Sequence, residues 1–510
     1  MIKANVNQRK AGALLSYISM FAGYVISLIY TPLMLRLLGQ SEYGLYNLVA
    51  SIVAYLGVLN FGFGSTYLRY YIRYKVQNDQ ENVSRLNGMF IIIFSCIGLI
   101  AVIVGTAAAF NAEAIFGSKL TVDELAKAKV LMQILTLNMA FTFPSSVFTS
   151  HITANERFIF QRIVQLVKLV SNPFLVIPAL LLGYGSIGMA LVMTFLNLGV
   201  EIASMVYCLK KLRMHFLFRK FDRKLMKQIS VFSSYIFINM LIDQINWNVD
   251  KFILGRFHGT VSVAIYGLAS QLNTYYISIS TAITNVYVPY VHQVIASNND
   301  SHDLINLFTR IGRLQFIILS LLASSVVFFG RAFFYLWAGP DYAGSFAIAL
   351  LLILPVTIPL IQNIGIEIQR AKNMHQFRSR VYLLIALLNI VLTLWLAKPY
   401  GGAGAALGTA VSLIIGNGFA MNWYYHKKVG LDITYFWKQI AFLMPALLLP
   451  AAVGIAMNRF ADLFHWRSLA LFGAIYVIVF CLSMWFFGLN QYEKELVKKP
   501  IQKIINRLSQ

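Results

Sequence analysis

Fourteen apolar stretches of spanning length, joined by short polar connections, constrain this chain more than any other feature. A span needs about 20 mostly apolar residues, because lipid offers no partner to a backbone amide or carbonyl. The stretches fall at 12–35, 44–66, 87–110, 129–150, 163–182, 187–209, 229–254, 261–289, 309–330, 345–366, 379–398, 402–425, 438–457 and 468–489. Little chain remains for a soluble domain. The expectation is an all-α polytopic membrane protein with fourteen transmembrane helices.

The formal net charge of +23 would by itself suit a nucleic-acid partner. Its placement argues against one. An even number of spans puts both termini on one side. That side holds 31 of the 42 lysines and arginines, against 10 on the other, with Lys168 inside a span. By the positive-inside rule the richer side, and with it both termini, is cytoplasmic. Eight of these charges crowd the connection from Lys210 to Lys227, KKLRMHFLFRKFDRKLMK. A basic loop beside spans is drawn to anionic headgroups, so anionic lipids are the expected partner. The first apolar stretch is too long for the core of a cleavable signal peptide, and none is expected. Cys96, Cys208 and Cys481 lie in or at the end of spans without CxxC spacing, and the histidines are scattered. Neither a disulfide framework nor a metal site nor a cofactor is expected.

Two pieces of the chain repeat. YGSIGMAL at 184–191 and YGGAGAAL at 400–407 share Tyr, Gly, Gly, Ala and Leu at an offset of 216 residues. Each opens a span that ends in a basic pair, Lys210–Lys211 and Lys427–Lys428. The same offset carries Leu38–Gly39 onto Leu254–Gly255, and each of these pairs precedes a Tyr-Gly-Leu. A repeat of six spans leaves both copies in one orientation, as two parallel halves with a path between them. The expected division is a six-helix lobe at 1–211, a second at 212–428, two further spans at 429–489 and an amphipathic cytoplasmic tail at 490–510.

Polar side chains recur inside several spans at helical spacing. In span 7, Asn239, Asp243, Asn246 and Asp250 share one face. Asp243 lies about 12 residues from the outer end, roughly 18 Å deep at 1.5 Å per residue. A charge there must face protein or water. Lys251 follows about 100° round the helix. Span 5 places Gln161, Gln165, Lys168 and Asn172 together, and Lys168 either snorkels to headgroups or serves the interior. Span 6 aligns Thr194, Asn197, Glu201 and Ser204, with Glu201 either in an internal ion pair or available to an ion. Glu367 and Arg370 read as an interfacial helix pair. Gln271, Thr274, Tyr275, Ser278, Thr281 and Asn285 give span 8 a polar face, and Tyr17, Tyr24, Ser27 and Thr31 do so for span 1. Tyrosines on such faces suit sugar rings, or else form an interfacial aromatic belt. No Walker-type phosphate loop is present, so ATP hydrolysis is not expected. The short outer connections, the longest at about 111–128, disfavour a membrane glycan polymerase. The chain reads as a transporter, not an enzyme.

Through LLGQSEYGLYNL (37–48), NVDKFILGRFHGTVSVAIYGLA (248–269) and the two YGxxGxAL runs, the chain resembles the polysaccharide transporters, the Wzx-type flippases of the multidrug/oligosaccharidyl-lipid/polysaccharide superfamily. The resemblance covers nearly the whole length. It implies a V-shaped, MATE-like fold of two lobes and ion-coupled alternating access. It also implies a cargo of undecaprenyl-pyrophosphate-linked oligosaccharide, moved from inner to outer leaflet of a bacterial cytoplasmic membrane, and a glycan polymerase as a further partner. A lipid II flippase and a multidrug antiporter of the same superfamily remain alternatives. A pyrophosphate in a low-dielectric path needs positive partners. On that cargo, Lys168 is the intramembrane candidate, Arg69 and Arg73 the cytoplasmic approach, and Lys251 and Arg256 the exit. Asp243, Asp250 and Glu201 are the candidate coupling carboxylates. Tyr17, Tyr24, Asn239, Asn246, Gln271, Tyr275 and Asn285 are the candidate cavity lining.

Overall fold

Helix is the one open backbone arrangement that satisfies itself in lipid. The computed structural model describes residues 2–218, 223–297, 301–372 and 374–508, and these are helical almost throughout, with no strand among them. Residues 219–222 of the basic 210–227 connection, and 509–510 of the tail, lie outside the described residues. The elements are α1 (Ile2–Leu56), α2 (Phe63–Val76), α3 (Gln80–Phe110), α4 (Ala112–Phe116), α5 (Val122–Ala154), α6 (Phe158–Leu181), α7 (Gly185–Val206) and α8 (Arg223–Ser297). There follow α9 (Ser301–Ala338), α10 (Ser345–Ile361), α11 (Ile364–Ala371), α12 (His375–Leu413), α13 (Asn422–Tyr424), α14 (Ile433–Ala441), α15 (Pro445–Phe460), α16 (Trp466–Ser483) and α17 (Gln491–Leu508).

Among the described residues, nine helices are long and apolar enough to cross a membrane, or eleven if two bent pairs are each one span. Three of the nine run for 63, 60 and 54 residues. At about 1.5 Å per residue each is more than twice the roughly 30 Å hydrocarbon thickness. Each contains a helix interrupted at a glycine: Gly39 (φ 75°) in α1, Gly259 (φ 77°) in α8 and Gly401 (φ 56°) in α12. A side chain at such a φ would crowd the following carbonyl.

The stretch at 44–66 is not one helix. α1 ends at Leu56, a 3-10 turn covers Gly57–Asn60, and Phe61 (φ 50°) and Gly62 (φ 66°) are left-handed before α2 begins. Gly57, Asn60, Gly62 and Gly64 within eight residues weaken helix here. Phe61 stacks on Phe237 of α8 at 4.6 Å between ring centroids. The stretch at 345–366 bends by 41° between α10 and α11, and that at 438–457 by 43° between α14 and α15. Pro445 opens α15, where its missing N–H costs nothing.

The described helices gather into two compact units, Met1–Gly267 and Leu268–Gln510. The first extends beyond the 211/212 repeat boundary because the start of α8 packs on α1 and α2. A Cβ on Gly44 would run into the Thr260 carbonyl, and one on Gly255 into Leu48. Thr66 and Ser233 share a buried hydrogen bond of 3.1 Å. The core between α2, α3 and α5 is aromatic, with Tyr67, Phe90, Phe94 and Phe143 buried together. Within it the Tyr67 hydroxyl donates to Asn87 Oδ1 at 2.6 Å and lies 2.8 Å from His151 Nδ1. The repeated YGxxGxAL runs share local geometry as well as letters. Gly185 and Gly401 have φ of 54° and 56°. A Cβ on Gly188 or Gly404 would press on the tyrosine four residues earlier, Tyr184 or Tyr400.

Candidate functional site

In the first unit, the polar stripe of α7 is met by a second stripe on α5. Asn138 Nδ2 donates to Thr194 Oγ1 at 3.0 Å, and Asn197 Nδ2 to Asn138 Oδ1 at 3.3 Å. Thr142 Oγ1 donates to Glu201 Oε1 at 2.6 Å. Lys168 of α6 is half-buried, and it and Glu201 are each other's electrostatic neighbours. Glu201 is thus held by the Thr142 hydroxyl, with Ser145 and Lys168 among the polar groups that influence it. Asn138 and Thr142, spaced i, i+4, were legible as a stripe but carry no charge to single them out.

Along α8 the four span-7 residues divide. Asp250 is buried at 2% exposure, and its Oδ2 accepts from the Tyr266 hydroxyl at 2.5 Å across the Gly259 interruption. This contact gives NVDKFILG and AIYGLA a shared structural reason: the tyrosine of the second locks the aspartate of the first. Asp243 and Asn239 are instead exposed from the unit. Asn246 is half-buried, with its Oδ1 enclosed and without a hydrogen-bond partner among the described residues. Such an atom is costly unless something else satisfies it. Lys251 is half-buried beside Asp250. Arg256 Nη1 donates to the Ala114 and Ile115 carbonyls, both at 2.8 Å, and so caps α4. Arg69 and Arg73 are exposed on the last turns of α2, Tyr17 is exposed and Tyr24 half-buried on α1.

A polar seam joins four places of the first unit near the Gly39 and Gly259 interruptions. Glu124 Oε1 accepts from Ser41 at 2.6 Å and from Thr260 at 2.7 Å, and its Oε2 accepts from the Thr121 amide at 2.9 Å. Glu42 pairs with Lys127 at 2.7 Å and accepts from both the amide and the hydroxyl of Ser186. Sequence reasoning passed over Glu42 and Glu124, although Thr-x-x-Glu at 121–124 is a capping-box signature.

In the second unit, Gln271 Nε2 donates to the Tyr275 hydroxyl at 2.7 Å, and Asn285 is exposed. The face carrying these residues is turned outward from the unit. The opposite face of α8 is the one locked to its neighbours. Tyr276 meets Thr357 at 2.7 Å, and Gln315 Nε2 donates to Thr284 at 2.6 Å. Glu367 and Arg370 pair at 2.6 Å, an i, i+3 ion pair on one helix. Arg313 is buried, giving two hydrogen bonds to Glu493 at 2.7 and 2.9 Å.

Long polar-striped helices of membrane-spanning length, several of them interrupted or bent, define the class as a polytopic membrane protein. The profile of the polysaccharide biosynthesis protein family matches residues 10–295. The chain belongs to that family. It is 21% identical over 404 residues, 77% of this chain and 91% of the other, to a Shigella flexneri protein described as "Putative O-antigen transporter". Its fold is similar to that of a lipid II flippase, MurJ, in an inward closed conformation: TM-score 0.70, 18% identity, 92% of this chain and 98% of that one. It is also similar to an inward-facing multidrug resistance MATE family transporter of the MOP superfamily: TM-score 0.65, 13% identity, 82% and 99% covered. These relatives are transporters and flippases, not enzymes.

Proposed function

We propose that this protein moves an undecaprenyl-pyrophosphate-linked oligosaccharide from the inner to the outer leaflet of a bacterial cytoplasmic membrane, for surface polysaccharide assembly. Counting each glycine-interrupted helix as two crossings and each bent pair as one gives fourteen spans. Both termini then lie in the cytoplasm, with two six-helix lobes at 1–211 and 212–428, helices 13 and 14 at 429–489, and the tail at 490–510. The observation that carries the reading is Lys168. It is an ammonium inside a span, balanced by Glu201, in a chain of the polysaccharide biosynthesis family. An anionic headgroup crossing a low-dielectric path needs such a partner. Arg69 and Arg73 would gather the pyrophosphate at the cytoplasmic ends, and Lys251 and Arg256 lie towards the exit. Asp243, exposed on α8, is the carboxylate for ion-coupled alternating access. Asp250, held by Tyr266, serves the fold first.

The likeness to a lipid II flippase favours a second reading, in which the cargo is the peptidoglycan precursor. One experiment addresses both. Proteoliposomes are loaded with either lipid-linked cargo, and outer-leaflet glycan is followed by an impermeant glycosidase. Lys168→Arg should retain transport, and Lys168→Gln should stall cargo on the cytoplasmic side. Asp243→Asn should abolish the dependence on an ion gradient at normal protein abundance. Normal transport by Lys168→Gln would remove the phosphate role from Lys168. Preference for lipid II would replace the first reading with the second.

A further inference from the structure

The first half of the basic 210–227 connection is not a loose loop. Residues 212–218 lie as an extended strap across the end of α3. The Leu217 amide donates to the Ser84 carbonyl at 2.9 Å, and Asn87 Nδ2 donates to the His215 carbonyl at 2.9 Å. The Met214 amide donates to the Cys208 carbonyl at 3.0 Å, and the Met214 side chain is buried. Gly88 lets the strap lie this close, since a Cβ there would collide with the Leu217 carbonyl. Arg213 sits at φ 49°, a strained conformation that its surroundings must hold in place. As a result Lys210, Lys211 and Arg213 all stand exposed, while Leu212 between them is half-buried against the core of the unit.

The strap forms one wall of a groove of about 600 Å³ in the first unit. Phe216 and Phe218 of the strap line it together with Phe141 and Phe148 of α5 and Ile202 and Met205 of α7. The two strap rings lie parallel at 6.2 Å, and Phe218 remains 59% exposed. Glu201 also lines the groove, but its Oε1 is already taken by Thr142. The remaining lining is almost wholly hydrocarbon and ring, which water fills poorly and a sugar cannot satisfy. Apolar groove and triple cation adjoin because Leu209 precedes Lys210 and Phe216 follows Arg213 within a few residues.

We propose that this groove and strap bind one anionic phospholipid of the leaflet that the strap faces. An acyl chain fills the groove and the headgroup phosphate rests on Lys210, Lys211 and Arg213. A zwitterionic lipid fits the groove but gains little from three cations, whereas an anionic one gains at both ends. The inference rests on the membrane reading above, not on the identity of the cargo or on which face is cytoplasmic.

The test uses the full-length protein in nanodiscs of zwitterionic lipid, containing phosphatidylglycerol with a diazirine near the end of one acyl chain. After irradiation, adducts are mapped by mass spectrometry. They should concentrate on the 141–148, 198–209 and 214–218 segments. The same photolipid with a phosphocholine head should label these segments about tenfold less, as should phosphatidylglycerol on the triple variant K210Q/K211Q/R213Q. Adducts on other helices serve as the internal reference and should not change. Equal labelling by the two headgroups, or undiminished labelling of the triple variant, would overturn the proposal and leave the groove as a seat for bulk lipid. Displacement by excess inorganic phosphate would also overturn it, by reducing the site to a free-phosphate site. Because labelling does not read transport, this outcome and that of the flippase assay stand apart.

Discussion

Glu493→Gln probes what seats the C-terminal helix α17. In the second unit Arg313 and Glu493 are 6% and 1% exposed at their side chains. The guanidinium gives Nε to Oε1 at 2.7 Å and Nη2 to Oε2 at 2.9 Å. It also gives Nη1 to the Gln439 carbonyl at 2.8 Å and Nη2 to the Gly488 carbonyl at 3.0 Å. Glu493 in turn accepts from the Asn490 amide at 2.9 Å. Glutamine can keep one of the two bonds to Arg313 but turns an NH₂ toward the guanidinium in place of the other. Breaking one partner of a buried pair costs about 3–5 kcal/mol. Two carbonyls still solvate Arg313, which places the cost near the lower limit, about 3 kcal/mol. With about 2–4 °C per kcal/mol for a unit of this size, Tm should fall by about 6–12 °C. Trypsin should also cut earlier at Lys494 and Lys498 of α17. The control is Arg313→Met with Glu493→Leu, which removes both charges and should regain most of the loss. If Glu493→Gln leaves Tm within about 1 °C and proteolysis of α17 unchanged, the pair does not hold this helix, and the reasoning fails.

Topology is tested in a cysteine-free background: with an impermeant maleimide on intact cells, a cysteine at Lys119 should label and one at Lys211 should not, and the reverse would invert the orientation. Gly44→Ala forces α1 and α8 apart at the Thr260 carbonyl, an overpacking that should cost about 1–3 kcal/mol and lower both Tm and transport. Unchanged values would show that the crossing is slack. Tyr266→Phe removes the tyrosine's hydrogen bond to a buried carboxylate and should destabilise by about 1–3 kcal/mol, whereas Asp250→Asn in the same background should add little.

Hydropathy alone marked the chain as one of many apolar helices of spanning length, because lipid contact is a property of local composition. It missed the break at 57–62, where glycines and the Phe61–Phe237 stack outweigh apolarity. Periodicity found the faces bearing Asp243, Lys168 and Glu201, since a helix face is also local. It could not find what each face meets. Asp250 and Asp243 look equivalent in sequence, yet Tyr266 buries one and leaves the other exposed. Glu42, Glu124, Arg313 and Glu493 sit near span ends, where acidic and basic residues are ordinarily solvated. Their roles come from partners up to 180 residues away, a separation no local pattern encodes.

The single glycines that interrupt α1, α8 and α12 set a mechanical limit on the molecule. A connection of one residue holds no slack. The two arms it joins cannot slide past each other, and each pair must swing as a single bent lever about that residue. Tags or insertions at 39, 259 or 401 would lengthen the fulcrum and let the arms uncouple. Motion of the arms would then no longer be transmitted from one end of the pair to the other.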